Sequence, residues 1–94
     1  MPEVTDNPAL SRYELVVDGV TAIAEYRRSG DVLDLTHTEV PQAVSGRGIG
    51  TALVRGMLDL VRADGLTVRP LCPFVAAVIA RHPEYGDLVA ADRG

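Results

Sequence analysis

A glycine-rich stretch at residues 40–53 offers the clearest chemistry in this chain. Gly46, Gly48 and Gly50 fall within five residues, between an apolar segment that ends at Val40 and a helical pattern. Glycines let backbone N–H groups converge without an intervening Cβ, and the first turn of a helix adds unpaired amides and a partial positive charge. The stretch therefore predicts an anion site that suits phosphate.

Spacing excludes two common phosphate-binding motifs. A nucleotide-hydrolysing P-loop requires a lysine, and this chain contains none. A dinucleotide-binding fingerprint needs G-x-G-x-x-G, but its last position falls on Thr51 or Leu53 here. The chain is also too short for the usual dinucleotide-binding sheet.

His37 and Glu39 come just before the glycine-rich stretch. On a strand of period two they share one face with Leu33 and Leu35, while Thr38 lies on the other face. Histidine suits a general base because its unperturbed pKa lies near neutrality. Structural roles stay open for both: His37 as a hydrogen-bonded residue at a layer boundary, and Glu39 as a solvated strand end.

Cys72 and Tyr85 are the other two candidates for chemistry. Cys72 is the only cysteine and precedes Pro73 and a short helix predicted at residues 74–81, which is nearly all apolar and therefore expected to be buried. The field at the start of a helix favours a thiolate, although a lone cysteine is also commonly a small buried hydrophobe. Tyr85 is a possible proton donor with a structural role as the alternative, and His82 is interpreted as structural.

The elements that must position these groups follow from the hydrophobic pattern. Residues 1–11 show no apolar period and predict a loose leader before a single domain at residues 12–94. Asp18-Gly19 is a strong hairpin signal between two strand-like runs. Three antiparallel strands are therefore expected as a meander, at residues 12–17, 20–27 and 32–40.

A helix and a parallel strand complete the expected α+β fold. Residues 48–64 show a polar stripe and an apolar face, with Gly65 as a stop signal. A crossover of this kind makes the next strand, at residues 66–71, parallel to the previous one. Pro70 cannot donate to a strand ladder, so pairing should break there. Residues 84–89 are expected to pack back over the sheet.

Composition narrows the class of function. The chain has 94 residues, a net charge of −4 and one cysteine, and no stretch long enough to span a bilayer. We expect one cytoplasmic domain, a monomer or weak homodimer, with no internal disulfide, no metal site and no membrane partner. The absence of a basic patch argues against nucleic acid as a partner.

Residues 45–50 fit the pattern x-x-x-G-x-G and resemble the acyl-CoA pyrophosphate loop of the GNAT N-acetyltransferases, [RQ]-x-x-G-x-[GA]. Together with residues 36–41, 71–75 and 82–89, they make the chain similar to the minimal single-domain GNAT-like family over nearly its whole length. Ser45 stands where the pattern has Arg or Gln. Arg47, two residues on, is the candidate to supply the missing charge.

The resemblance implies an acetyl-CoA-dependent N-acetyltransferase that acts on a primary amine, such as a protein or peptide lysine, a polyamine or a small amine. The pantetheine arm would lie in a V-shaped gap between the two parallel strands. His37, or Glu39 through water, would accept the amine proton. Cys72 or Tyr85 would return a proton to the CoA thiolate, or Cys72 would first take the acetyl group. The implied CoA-binding residues are Val40, Ser45, Gly46, Arg47, Gly48, Ile49, Gly50 and Thr51.

A second function class stays open. In larger relatives, helices after the first strand form much of the acceptor pocket, whereas Asp18-Gly19 joins the first two strands directly here. The alternative is therefore a non-catalytic acyl-CoA-binding or protein-interaction domain with the same fold.

Overall fold

The core forms between one face of a five-stranded sheet and two helices. The computed structural model describes residues 3–90. The strand order is β1-β2-β3-β4-β5, antiparallel except for the parallel β4–β5 pair. This confirms the predicted α+β fold with its meander, crossover helix and parallel strand. The strands and helices are β1 Thr5–Asn7, β2 Arg12–Val17, β3 Val20–Ser29, β4 Val32–Glu39, α1 Ile49–Ala63, β5 Thr67–Pro70 and α2 Pro73–Arg81.

Helix α1 covers the sheet with an unbroken apolar face. Five apolar side chains of this helix are fully buried, as the 3.6-residue period predicts. They are Leu53, Val54, Met57, Leu58 and Val61. Burial of each such side chain contributes about 1.5–3 kcal/mol to folding. The helix is therefore held firmly against the sheet, mainly against β2, β3 and β5.

The prediction of a loose leader is wrong for the residues that form β1 and the 3-10 turn Pro8–Leu10. β1 pairs with β2, and the Tyr26 hydroxyl donates to Asp6 Oδ1 at 2.8 Å. Val4 packs against Gly56 of α1, where an added Cβ would lie 2.9 Å from Val4 Cβ. These tertiary contacts order a segment that has no apolar period of its own. Residues 1, 2 and 91–94 of the predicted leader and domain lie outside the described residues.

A β-bulge in β4 changes which side chains face the core. Leu35 pairs with Tyr26, but His37 pairs with Glu25, so β4 contains one extra residue, Thr36, at this point. The Thr36 hydroxyl donates to the Glu25 carbonyl oxygen at 3.4 Å. Because adjacent residues of β3 point to opposite faces, the bulge reverses the alternation of β4 beyond Leu35.

The parallel strands β4 and β5 pair over only part of β4. β4 and β5 pair over four residues, ending at Leu35 and Pro70. Proline lacks an N–H group and cannot extend the ladder, and the Cys72 N–H then donates to the Leu35 carbonyl oxygen at 2.9 Å. Among the described residues, β4 continues to Glu39 with no partner strand on that side. In the described structure β4 therefore extends past the end of β5 and leaves an open edge at residues 36–39, where the gap between the parallel strands is expected.

The segment after α2 is a 3-10 helix, Pro83–Leu88, which returns to the body of the domain. Arg62 of α1 makes two hydrogen bonds to the Asp87 carboxylate, at 2.8 and 2.9 Å. The Ala90 N–H donates to the Val68 carbonyl oxygen at 2.8 Å. These contacts fix the end of the described chain beside β5 and α1. No helix within residues 3–90 is long and apolar enough to cross a membrane.

Candidate functional site

The glycine-rich loop runs from the end of β4 to the first turn of α1. Val44, which is 2% exposed, anchors the loop in the core through a 3-10 turn at Gln42–Val44. Gly46 and Gly48 have φ values of 78° and 73°, in the left-handed region that favours glycine. The Ser45 hydroxyl donates to the Gln42 carbonyl oxygen at 3.0 Å. The loop is thus a hydrogen-bonded turn in which Gly46 and Gly48 have no side chains to cover the backbone.

Helix α1 begins without a side-chain cap. Its N-cap residue is Gly48, and no side-chain cap hydrogen bond is made there within the described structure. The first bond of the helix joins the Ala52 N–H to the Gly48 carbonyl oxygen at 3.0 Å. The amides of Ile49, Gly50 and Thr51 precede that bond, so the helix does not use them. They stand at the positive end of the helix dipole, where an anion is stabilised.

A cavity of about 240 Å³ lies against this helix end. Seven of the eight residues predicted for CoA binding line it, together with Phe74, which the apolar pattern assigned to a buried helix. Phe74 is 39% exposed, so that assignment is wrong for this residue. The lining residues are Val40, Ser45, Gly46, Gly48, Ile49, Gly50, Thr51 and Phe74.

Only glycine fits at position 50 without a clash with the side chains that form the wall of this cavity. A Cβ at Gly50 would lie 2.9 Å from Phe74 Cζ and 3.4 Å from Val40 Cγ2. The absence of a side chain therefore lets the Phe74 ring close over the first turn of α1. No helical or strand period could reveal this contact, because it joins two elements that are distant in the sequence.

Arg47 is the predicted loop residue that does not line the cavity. Its Nη1 atom lies 2.7 Å from Asp18 Oδ2 in the β2–β3 turn, and both side chains are more than half exposed. An exposed pair of this kind contributes at most about 1 kcal/mol. Arg47 is therefore attached to the hairpin by a weak bond and lies beside the cavity.

His37 and Glu39 lie on one face of β4, as predicted, but not on the face of Leu33 and Leu35. The bulge at Thr36 puts them on the opposite face, where both are exposed. The prediction that they share the core-facing row is therefore wrong beyond Leu35. They border the gap between β4 and β5 from the open side of the sheet.

Cys72 borders the same gap from the core side. It is the N-cap residue of α2, as predicted, and is 7% exposed. Its sulfur lies 3.8 Å from Thr38 Oγ1. Burial would raise the pKa of the Cys72 thiol, but hydrogen bonds from the backbone of Val75, the Thr38 hydroxyl and the backbone of Phe74 and Thr38 lower that pKa below its ordinary value. Cys72 is therefore a buried thiol whose ionisation is favoured by neighbouring hydrogen-bond donors.

Tyr85 is bonded to the middle of α1 and lies away from the glycine loop. It is 5% exposed, and its hydroxyl donates to Asp59 Oδ1 at 3.0 Å. Asp59 lies ten residues beyond the first residue of α1, which is about 15 Å along the helix axis from the glycine loop. The contacts of Tyr85 are those of a residue that fastens the 3-10 helix to α1.

Comparison with known proteins gives one family. The model of the GCN5-related N-acetyltransferases matches residues 12–88. Protein NATD1 from Bos taurus and from Homo sapiens is 36% identical over 52 residues, which is 55% of this chain and 46% of each relative. NATD1 from Danio rerio is 34% identical over 55 residues, 56% of this chain and 50% of its own length. The chain thus matches over about half the length of these curated relatives.

A solved structure shares the fold. A GCN5-like protein from Staphylococcus aureus, determined in solution by NMR, superimposes with a TM-score of 0.70. The superposition covers 97% of this chain and 90% of that protein, with 19% sequence identity. At 19% identity this similarity shows the fold alone.

Proposed function

Because the chain belongs to the GCN5-related N-acetyltransferase family, we propose that it transfers an acetyl group from acetyl-CoA to a primary amine. The family match over residues 12–88 supports acetyl transfer in general. The observation that carries the assignment to this chain is the uncapped start of α1. Its three unused amides stand at a glycine loop that lines a cavity, and this geometry suits the pyrophosphate of CoA.

The loop residues fit a phosphate group chemically. Two glycines with positive φ expose main chain, and an added Cβ at either position meets no atom within 4 Å. The space over their backbone is therefore open to a ligand. The cavity of about 240 Å³ is smaller than the roughly 300–1,000 Å³ of typical ligand pockets, so it suits the pyrophosphate and its nearest neighbours while the remainder of CoA extends outside it.

The gap between β4 and β5 supports an extended arm beside the pyrophosphate site. Beyond Leu35, the main chain of β4 has no partner strand on this side within the described residues. Such an edge can hydrogen-bond an extended ligand as it would another strand. A pantetheine arm placed there would bring its thioester toward Cys72 and Thr38.

The amine acceptor is proposed to approach from the open face of the sheet. His37 and Glu39 lie there, across the gap from Cys72, and either one is within the usual repertoire of general bases. The β2–β3 turn at Asp18 and Gly19 leaves that face without an intervening helix. An exposed acceptor site of this kind suits a lysine of a protein or peptide, a polyamine or a small amine.

The first test is a thermal-shift titration with acetyl-CoA, CoA, NAD and ATP in parallel. A ligand that binds only the native state stabilises it by RT ln(1 + [L]/Kd), about 2.7 kcal/mol at 100 times Kd. For a domain of this size, that corresponds to a rise of roughly 10–20 °C in the unfolding midpoint. We expect acetyl-CoA and CoA to produce this rise and NAD and ATP to produce none.

The second test measures CoA thiol release from acetyl-CoA with a panel of primary amines. Release that depends on both amine and protein supports the transferase. CoA binding with no release above the uncatalysed rate would instead assign the chain to the non-catalytic acyl-CoA-binding class. A chain that responds to none of the four ligands would contradict both assignments.

A further inference from the structure

Thr38 is a polar residue on the core-facing side of β4 that no sequence pattern singled out. The bulge at Thr36 turns it to the same side as Leu33 and Leu35, opposite Ala24 on β3. Its side chain is half-buried, and its hydroxyl lies 3.8 Å from the Cys72 sulfur. Without the extra residue in β4, His37 would occupy this side and Thr38 would face solvent.

The surroundings of the Cys72 sulfur are built from two separate elements. The first turn of α2 directs the backbone of Phe74 and Val75 toward it. β4 contributes the Thr38 side chain and, as a smaller effect, the Thr38 backbone, which a substitution of the side chain leaves in place. Thr38 is thus the residue of β4 that hydrogen-bonds the Cys72 sulfur from across the gap between β4 and β5. A sulfur held by α2 alone would keep its helix contacts but would lose the bond that joins it to β4.

We infer that Thr38 is a positioning residue that fixes the Cys72 sulfur at the gap and stabilises its thiolate through the Thr38 hydroxyl. The catalytic meaning of this role rests on the proposed function, because Cys72 must pass between thiol and thiolate both as a proton donor to CoA and as an acyl carrier. When the sulfur is a thiol it donates to Oγ1, and when it is a thiolate it accepts from the Thr38 hydroxyl.

Charged side chains do not explain the lowered pKa of the Cys72 thiol. Within the described residues, the pKa of Cys72 is lowered by hydrogen bonds alone, and no ionised group contributes to the lowering. The effect of a Thr38 variant can therefore be read without a change in nearby charge. The charged groups on the elements that pack around Cys72 are His37 and Glu39 on the other face of β4, the Asp34–Arg69 pair, Arg81 at the end of α2, and Arg55, Asp59 and Arg62 on α1.

The test follows the ultraviolet absorbance of the Cys72 thiolate as the pH of the intact chain is raised. The same titration of Cys72→Ala is subtracted, because it contains the tyrosine absorbance but no thiolate. The chain has one cysteine, so the difference reports Cys72 alone. Thr38→Val keeps the shape and removes the hydroxyl, and Thr38→Ser restores a hydroxyl. Thr21→Val, at an exposed position of β3, is the control for the same replacement elsewhere on the sheet.

We expect the thiol titration of Thr38→Val to move upward by about one pH unit, because a hydrogen bond to a charged group is worth about 1.5–3 kcal/mol and one unit corresponds to about 1.4 kcal/mol. Thr38→Ser and Thr21→Val should titrate like the parent chain. If Thr38→Val is poorly folded, Thr38→Ala replaces it, and folding is checked by circular dichroism.

An unshifted titration in Thr38→Val, or an equal shift in Thr38→Ser, would overturn the inference. This readout needs neither CoA nor an amine, so it is independent of the transferase assay. A shifted titration in a chain that transfers no acetyl group would leave Thr38 as the residue that positions Cys72 and would count against the proposed function alone.

Discussion

Replacement of Gly48 by glutamate should severely weaken CoA binding while the fold is kept. Gly48 is the N-cap of α1 with φ 73°, and a Cβ built there meets no atom within 4 Å. The new side chain therefore enters open space over the loop rather than the core. That space is where the proposed pyrophosphate would lie, so the glutamate adds negative charge and bulk to an anion site.

The two costs of this substitution differ in size. A non-glycine residue in left-handed backbone costs roughly 1–2 kcal/mol, and each kcal/mol lowers the unfolding midpoint by roughly 4–8 °C in a domain of this size. A carboxylate about 5 Å from one phosphate charge is opposed by about 3 kcal/mol at an effective dielectric constant of about 20. The affinity for CoA should thus fall by about 100-fold or more, with a modest loss of stability.

Two matched variants separate strain from charge. Gly30→Glu carries the same charge at φ 60°, also with no atom within 4 Å of the added Cβ, but in the turn between β3 and β4. That turn lies at the other end of β4 from the glycine loop. Gly48→Ala introduces the strain without the charge. Both should keep most of the CoA affinity.

The assay is isothermal titration of CoA, accompanied by thermal unfolding with and without ligand. Retention of CoA affinity within a few-fold in Gly48→Glu would remove the loop from the proposed site. A loss in Gly30→Glu as large as in Gly48→Glu would refute the local electrostatic reasoning, since that substitution is remote from the cavity.

Three further predictions concern single residues of the domain. Cys72→Ala should slow acetyl transfer by about 100-fold or more with nearly unchanged CoA affinity, and unchanged turnover would return Cys72 to a packing role. Asp18→Asn keeps a residue type that tolerates φ 51° and releases Arg47. It should tighten CoA binding by up to about fivefold at low salt, and equal affinity in a titration would mean that Arg47 does not reach the phosphates. Burial and the hydrogen bond to Asp6 raise the pKa of Tyr26 to about 12. The folded chain therefore keeps a proton that the unfolded chain releases near pH 10, so stability should fall as pH rises from about 10 to 12. Tyr26→Phe should cost about 1 kcal/mol at neutral pH and show a shallower decline above pH 10 in urea unfolding; an unchanged slope would contradict the assignment.

Local chemistry in the sequence determined most of the elements. Asp18 and Gly19 both adopt positive φ, at 51° and 78°, as the hairpin between β2 and β3 requires. The apolar period of α1 identified its buried face, and Pro70 marked the end of pairing between β4 and β5. In each case the signal lies within a few residues of the feature that it predicts.

The glycine loop was also predictable from the sequence. Its positive-φ glycines, the uncapped start of α1 and the lining of the cavity all involve residues 40–51, apart from Phe74. The short strand β1 was missed because its order comes from Val4 packing against Gly56 and from hydrogen bonds to β2 and β3. A glycine inside a helical pattern is compatible with close packing, but nothing in the sequence identifies Val4 as the partner of Gly56.

The arrangement around Cys72 was decided by the tertiary structure. A period of two assumes an uninterrupted ladder, and the extra residue at Thr36 becomes visible only when β4 is paired with β3. The bulge exchanges the faces of His37 and Thr38 and brings the Thr38 hydroxyl to a sulfur 34 residues away. The amino-acid sequence by itself thus determined the types of group available and the loop that suits a phosphate, because these depend on local backbone preferences. Which of those groups meet at the gap depends on strand register, a property of paired chains that no single segment contains.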